Sequence, residues 1–294
     1  MSNERFAYRR ADTIEDALAL VDANPDAALL AGGHTLLANS EIGVANPETV
    51  VDISGIDAMS GIERHGDHVR IGALTPYTEI LENDVLVTHA RVLTETVGTI
   101  GDTQVRNRAT IGGNLVRPEP TADLSAGIIA GDATLIARSQ RGERRIAADE
   151  FFRPMRMTAL DPDELLIGVD IPLMDGVSTG AYVKTQSPSA RYSLVGVAAR
   201  VTLENGRVSA ARVAANGAVT HGIRLPSVEN TLEQAELTGD TVEAAAKRAT
   251  AGLDDADLMD DSQASADYRA QLLEAYTQRA LERVAERAGH LAHA

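Results

Sequence analysis

The chain has 294 residues, of which 44% are hydrophobic and 24% charged, with a formal net charge of −16 and no cysteine. A length near the upper limit for one hydrophobic core predicts two domains, and the composition is that of a folded globular protein. The excess of carboxylates argues against nucleic acid as a partner, and a chain without cysteine makes neither a disulfide nor a cysteine-ligated iron–sulfur cluster of its own.

Two further properties of the composition concern location and salt. The lack of a long apolar run, and of an apolar segment behind the N-terminal charges, predicts a cytoplasmic protein without a transmembrane segment. Lys184 and Lys247 are the only lysines, so nearly all basic residues are arginines among an excess of carboxylates. This pattern is typical of a halophilic protein, because a Debye length of about 3 Å in molar salt screens most of the self-repulsion.

The N-terminal segment predicts a small unit of strands and helices. Thr13 predicts the N-cap of an amphipathic helix. The run 27–31 predicts a strand that ends at Gly32-Gly33, and the sequence then predicts a helix from Thr35 and a strand over 49–53.

The middle of the chain predicts a second group of strands with helices between them. A strand from Val69 leads to Thr75, which is predicted to cap a helix that begins at Pro76. Apolar positions over 86–97 predict one long helix, and a glycine-rich segment then leads to strands over 133–136 and 165–171. The strand pattern ends after residue 171, and this end predicts a boundary between two domains, residues 1–176 and 177–294.

The last part of the chain predicts antiparallel strands followed by helices. Asn205-Gly206 joins two apolar runs and is a strong signal of a hairpin. Asp240 with Glu243 predicts a capping box, and Ser265 predicts the N-cap of the final helix. The second domain is therefore predicted to be small, with strands first and helices after them.

Two turns combine a glycine pair with a hydroxyl side chain. Glycine lets an oxyanion approach the backbone, whose N–H groups converge on it, and two such turns together suggest a pyrophosphate. Either turn alone is better interpreted as a plain tight turn, and neither has the spacing of a Rossmann fingerprint or a P-loop. The residues concerned are Leu30, Ala31, Gly32, Gly33, His34, Thr35, Leu36 and Leu37 in the first turn and Thr110, Ile111, Gly112, Gly113 and Asn114 in the second.

Several motifs, in their order and spacing, resemble the FAD-binding subunit of the molybdenum hydroxylases, the family of the carbon monoxide dehydrogenase medium subunit and the xanthine dehydrogenase FAD-binding subunit. They are AGGHTLL, IGDTQVRNRATIGGNLVRPEPTADL, DELLIGVDIP, ARYSLVGVAARV and SADYRAQLLEAYTQRAL, and they span almost the whole chain. The resemblance implies an α+β fold, with a PCMH (vanillyl-alcohol-oxidase-type) FAD-binding domain of two subdomains followed by a small C-terminal domain of antiparallel strands and helices.

The resemblance also implies a binding site. Both glycine turns would hold the pyrophosphate of non-covalently bound FAD. Asp123 would bind FAD by hydrogen bonds, Leu166 and Ile100 would make apolar contacts, and Lys184 and Tyr192 would lie near the flavin.

For some of these residues the sequence supports a second role equally well. Asp123 is also suited to capping the helix that follows it, and Tyr192 to contacting a partner subunit. Arg106, Arg108 and Arg117 are more readily interpreted as partners of the many carboxylates than as phosphate ligands.

The function that the resemblance implies is electron transfer. A large partner subunit would carry molybdopterin, a small one would carry [2Fe–2S] clusters, and FAD on this chain would pass electrons to an external acceptor, in a dimer of heterotrimers. No catalytic residue is predicted, and no metal site, because the histidines lack ligand spacing. The alternatives are a stand-alone FAD-dependent oxidoreductase of the same fold and a nucleotide-binding module without a redox role.

Overall fold

The computed structural model describes residues 6–174, 178–187 and 191–289. The domain boundary predicted at residue 177 lies outside these ranges. The strands are β1 Ala7–Arg10, β2 Ala28–Leu30, β3 Thr49–Asp52, β4 Ile62–His65, β5 His68–Gly72, β6 Thr134–Ser139, β7 Gly142–Ala147, β8 Phe152–Arg153, β9 Met157–Thr158, β10 Leu165–Pro172, β11 Ser178–Gln186, β12 Ser193–Glu204, β13 Arg207–Asn216 and β14 Ile223–Arg224.

The α-helices are mostly short, and the last is the longest. They are α1 Ile14–Ala23, α2 Leu36–Glu41, α3 Tyr77–Glu82, α4 Asp84–His89, α5 Arg91–Gly98, α6 Thr103–Arg106, α7 Ile111–Leu115, α8 Asp123–Ala130, α9 Ala148–Phe151, α10 Pro226–Leu232, α11 Gly239–Ala246 and α12 Ala266–Arg287. None of the helices in the described ranges is long and apolar enough to cross a membrane.

The strands form three main sheets. A parallel sheet has the order β1-β3-β2, and an antiparallel sheet has the order β4-β5-β10-β6-β7. A second antiparallel sheet, β11-β12-β13-β14, lies beyond the predicted boundary, and β8 and β9 pair separately as a short hairpin. The mixed helix and strand content agrees with the predicted α+β class.

The sheet β11-β12-β13-β14 is covered on both faces. Tyr182, Ala198 and Ala214 belong to the core that contains α5 and α8, whereas Val197 and Val213 belong to a second core with α10, α11 and α12. Side chains of a strand point alternately to opposite faces, so neighbouring residues of one strand enter different cores. The first core thus continues into the sheet beyond the predicted boundary.

Three local signals in the sequence are confirmed by the structure. Thr13 and Ser265 are N-caps whose hydroxyls accept hydrogen bonds from the N–H of Asp16 and Tyr268. Asn205 and Gly206 have φ values of 52° and 77°, as a two-residue hairpin turn requires.

Three other predictions are wrong in detail. The helix after β5 begins at Tyr77 with Pro76 as N-cap, because the hydroxyl of Thr75 bonds to the backbone of Gly61 instead. The single helix predicted over 86–97 is broken at Ala90 into α4 and α5. The cap of α11 is Thr238, not Asp240.

Candidate functional site

The two glycine turns are brought together by the fold. A methyl group on Gly32 would lie 1.9 Å from the backbone oxygen of Arg108, just before the second turn. A methyl group on Gly113 would lie 3.7 Å from Cβ of Ala31. Backbone therefore packs directly on backbone, and two turns that are distant in sequence form one surface.

The first turn has unused hydrogen-bond donors. Within the described ranges, the backbone N–H groups of residues 32–35 donate no hydrogen bond. Gly33 has φ of 81°, and the hydroxyl of Thr35 makes no capping bond. The following helix α2 buries none of its residues, although it begins with Leu36 and Leu37. Backbone N–H groups without an acceptor, next to the partly exposed Leu36 and the exposed Leu37, are suited to an anionic ligand with an apolar part.

The second turn differs from the prediction, because its N–H groups are already engaged. Those of Ile111 and Gly112 donate to the carbonyls of Thr75 and Ala73 at 3.1 and 2.8 Å. The N–H of Gly113 donates to the Thr110 hydroxyl at 3.2 Å. The prediction that this turn is an open nest of N–H groups is therefore wrong. The turn forms α7, which is bonded to the segment after β5.

Leu166 and Ile100 both pack in the first core, and Leu166 lies near this turn. Leu166, on β10, is 4% exposed, and the carbonyl of the next residue, Ile167, accepts a hydrogen bond from Ala73, whose own carbonyl binds the second turn. Ile100 is half-buried against the same core.

Asp123 is the centre of a buried polar network. It is the first residue of α8, and its carboxylate Oδ1 accepts hydrogen bonds from Tyr182 Oη at 2.6 Å and from the Ser193 hydroxyl. Its Oδ2 accepts from Lys184 Nζ at 2.7 Å, and both side chains of this ion pair are 6% exposed. These four residues are called the Asp123 cluster below. The side chain does not cap α8, so the capping role that the sequence also allowed is not observed.

The charge of Asp123 acts on the neighbouring phenol. Burial, followed by the Asp123 carboxylate, raises the pKa of Tyr182 well above its ordinary value. Tyr182 therefore stays protonated and donates to the carboxylate. Because Tyr182, Lys184 and Ser193 belong to β11 and β12, the Asp123 cluster ties α8 to the four-stranded sheet.

Lys184 holds two other segments of the predicted site. Its Nζ donates to the carbonyls of Thr99 and Arg191, each at 3.1 Å, in addition to Asp123. Thr99 precedes Ile100, and Arg191 precedes Tyr192, whose side chain is 56% exposed. Lys184 thus brings Ile100, Asp123 and Tyr192 into one region. All three of its N–H donors are engaged within the protein.

The three arginines around the second turn are not paired with carboxylates in the described part of the chain. Arg106 donates to the carbonyls of Ile100 and Gly101. Arg108 and Arg117 are exposed, and their guanidinium groups make no hydrogen bond or ion pair with the described residues. The carboxylate pairing that the sequence favoured is therefore not observed for Arg108 and Arg117.

Tyr182 and Ser193 are two site residues that the sequence did not predict. Tyr182 is two residues before Lys184 on the same strand, so alternation alone places both side chains on one face. The two-residue spacing from Lys184 was therefore the sequence signal that could have identified Tyr182 as a site residue. Ser193 has no local signal, because its partner Asp123 is distant in sequence.

Two family models match the chain. Residues 4–174 match the model described as FAD binding domain in molybdopterin dehydrogenase, and residues 180–284 match that of the CO dehydrogenase flavoprotein C-terminal domain.

Curated relatives match along nearly their whole length. The 6-hydroxypseudooxynicotine dehydrogenase complex subunit alpha of Paenarthrobacter nicotinovorans is 32% identical, over 98% of this chain and 97% of the relative. The carbon monoxide dehydrogenase medium chain of Hydrogenophaga pseudoflava is 31% identical, over 94% and 96%. A solved structure of carbon monoxide dehydrogenase from H. pseudoflava superposes with a TM-score of 0.92 at 31% identity, and covers 98% of this chain and 99% of that one.

Proposed function

The chain belongs to the family of FAD-binding subunits of molybdopterin dehydrogenases, and from this membership we propose that it is the electron-transfer subunit of such a complex. A large partner subunit carries molybdopterin, and a small partner carries [2Fe–2S] clusters. The chain receives electrons from those clusters and passes them to an external acceptor. FAD supplies the redox chemistry, since it takes up and releases two electrons.

The observation that carries the proposal is the joined pair of glycine turns, with free N–H groups on residues 32–35. These groups bind the FAD pyrophosphate through backbone dipoles, which give local positive potential in a protein of net charge −16. The exposed guanidinium groups of Arg108 and Arg117 lie next to the turns in sequence and supply further donors to the phosphates. The second turn contributes its shape and the side chains of Thr110 and Asn114.

The remaining site residues act around the rest of FAD. Leu166 and Ile100 supply apolar contact, and Tyr192 covers one face of the flavin. The Asp123 cluster holds the Thr99 and Arg191 segments in place, and the positive charge of Lys184 favours the anionic reduced flavin. No substrate chemistry is assigned to this chain.

Several finer assignments belong to the same proposal. The first domain, residues 1–176, is of the PCMH type with two subdomains, which the separate sheets β1-β3-β2 and β4-β5-β10-β6-β7 support. The second domain is residues 177–294, and the second core around α12 supports it. The complex is a dimer of heterotrimers in the cytoplasm.

The test is to purify the chain from its native host in high salt, record the absorbance spectrum and identify co-purifying proteins by mass spectrometry. The expected result is a flavin spectrum together with a large molybdopterin subunit and a small iron–sulfur subunit. Flavin without partners would favour the stand-alone oxidoreductase. Partners without flavin, even after addition of FAD, would show that the glycine turns have another role.

A further inference from the structure

Tyr77 carries a buried hydroxyl that has no partner. The residue is fully buried, and its Oη makes no hydrogen bond with any described residue. A buried hydroxyl without a partner bears the full cost of losing its water, and the great majority of buried polar side-chain atoms do have a partner. The hydroxyl of Tyr77 therefore either lowers the stability of the fold without compensation or donates a hydrogen bond to a bound ligand.

The position of Tyr77 favours the ligand. It is the first residue of α3, its N–H donates to the carbonyl of Ala109 at 3.2 Å, and the preceding Pro76 forms a β-bridge with Thr110. The backbone of Tyr77 is thus bonded to the start of the second glycine turn.

The phenol of Tyr77 interacts electrostatically with Asp123 and Tyr192. Burial, followed by electrostatic interaction with the Asp123 carboxylate and with Tyr192, raises the pKa of Tyr77 far above its ordinary value, so the phenol stays protonated. The second turn, Asp123 and the Tyr192 segment are three parts of the site proposed for FAD. The backbone of Tyr77 is bonded next to the first of these, and its phenol interacts electrostatically with the other two. A neutral phenol is suited to donate to a carbonyl, ring-nitrogen or hydroxyl acceptor.

We propose that the hydroxyl of Tyr77 donates a hydrogen bond to bound FAD and is a cofactor-positioning group of this chain. The inference rests on the proposed function, because it requires that FAD binds here. The hydroxyl is closed off from solvent in the chain alone, and bound FAD supplies the acceptor that it lacks.

The test compares two changes that remove the same atom. Tyr77→Phe deletes a hydroxyl without a partner, whereas Tyr182→Phe, the matched control, deletes one that donates to Asp123. The full-length chain is freed of FAD, its thermal stability is measured, and FAD is titrated back with absorbance as the readout. Tyr77→Phe is expected to keep or raise the stability of the FAD-free chain, to weaken FAD binding about five- to tenfold and to shift the flavin absorption band. Tyr182→Phe is expected to destabilise the FAD-free chain.

Two results would overturn the inference. One is that Tyr77→Phe binds FAD with wild-type affinity and an unshifted spectrum. The other is that it destabilises the FAD-free chain as much as Tyr182→Phe does, which would give the hydroxyl a structural role. If the wild-type chain binds no FAD in the same titration, the proposed function itself fails, and the inference fails with it.

Discussion

Lys184 has two roles in the buried polar network. Its ammonium group is an ion-pair partner of buried Asp123 and a hydrogen-bond donor to the Thr99 and Arg191 segments. Lys184→Met removes the charge and all three donors while keeping similar bulk. We expect the free energy of unfolding to fall by about 3–5 kcal/mol, because Asp123 is left buried without its counter-charge. Urea denaturation of the FAD-free chain at constant high salt measures this change.

The chain offers a matched control in its only other lysine. Lys247 forms an exposed ion pair with Glu243 one helical turn away, so Lys247→Met is expected to change stability little. Adding Asp123→Asn to Lys184→Met should restore part of the loss, since it removes the uncompensated charge. Equal effects of the two lysine substitutions would contradict the structural role of the Asp123 cluster.

The proposed effect of Lys184 on the flavin needs a separate test with Lys184→Gln. The proposal is wrong if this variant leaves FAD affinity and the flavin reduction potential unchanged.

At the scale of elements, the joining of the two glycine turns depends on the missing side chain of Gly32. A methyl group there would collide with the backbone oxygen of Arg108, which has no freedom to rotate away. Gly32→Ala is therefore expected to separate the turns and to abolish measurable FAD binding by the purified chain, as recorded by absorbance. Gly239→Ala is the control, because Gly239 has open space around it and its φ is not positive. If both variants bind FAD alike, contact between the turns is not needed for the site.

The central strand of the five-stranded sheet carries a buried carboxylate with two guanidinium partners. Asp170 on β10 accepts hydrogen bonds from Arg70 at 2.7 and 2.9 Å and from Arg145 at 2.7 Å. Burial acts to raise the pKa of Asp170, but these hydrogen bonds outweigh it and the pKa is lowered. A lowered folded-state pKa gives stability that is present above the unfolded value of about 3.9 and is lost as the pH falls through the folded value.

Acid denaturation of Asp170→Asn tests this pH dependence. The wild type is expected to be more stable than the variant by a constant amount above about pH 5, with the difference shrinking as the pH falls below about 4. Asp26→Asn removes an exposed carboxylate and measures the effect of net charge alone. A wild-type advantage that persists unchanged at low pH would show that shape or packing, rather than ionisation of Asp170, is responsible.

The elements that the sequence predicted well are those specified within a few residues. The caps at Thr13 and Ser265 and the turn at Asn205-Gly206 each depend on one side chain and its near neighbours. Thr75 has an equally good capping signal, yet its hydroxyl bonds to Gly61, a contact that only the folded chain creates. Local patterns give the elements, and tertiary contacts then reassign individual donors.

The candidate site follows the same division. The glycine turns could be predicted from the sequence, because a glycine pair allows a tight turn and a close approach of a ligand to the backbone. In the second turn, N–H groups donate to the carbonyls of Ala73 and Thr75. The sequence could not predict these hydrogen bonds, because they depend on how α7 packs beside the segment after β5. The orphaned hydroxyl of Tyr77 was likewise hidden, since only a packed core shows which polar atoms lack a partner.

For the molecule as a whole, the two domains are joined by more than the chain connection. The Asp123 cluster links α8 to β11 and β12, and the N–H of Gly217 donates to the carbonyl of Pro120 at 2.8 Å. Arg269, fully buried on α12, donates to the carbonyls of Leu194 and Gly217 and to Asp261. Polar contacts therefore run from α12, through the four-stranded sheet, to the segment after the second glycine turn.

The net charge of −16 makes the stability of this assembly dependent on salt. Many exposed carboxylates, such as Asp22, Asp26 and Glu233, have no ion-pair partner among the described residues, and they repel one another at low ionic strength. At about 1 M salt the Debye length of about 3 Å removes most of this repulsion. We expect the midpoint of thermal unfolding to rise steadily from about 0.1 M to about 2 M KCl, and to level off as screening is completed.

A charge-reduced variant separates screening from other effects of salt. Asp22→Asn, Asp26→Asn and Glu233→Gln together remove three negative charges without touching an ion pair among the described residues. If self-repulsion sets the salt dependence, the triple variant should be more stable than the wild type at low salt and equal to it at high salt, because screening then hides the difference. Thermal unfolding followed by circular dichroism across the KCl series measures both curves. A variant that is less stable than the wild type at high salt would instead mean that the carboxylates stabilise the protein by binding hydrated cations.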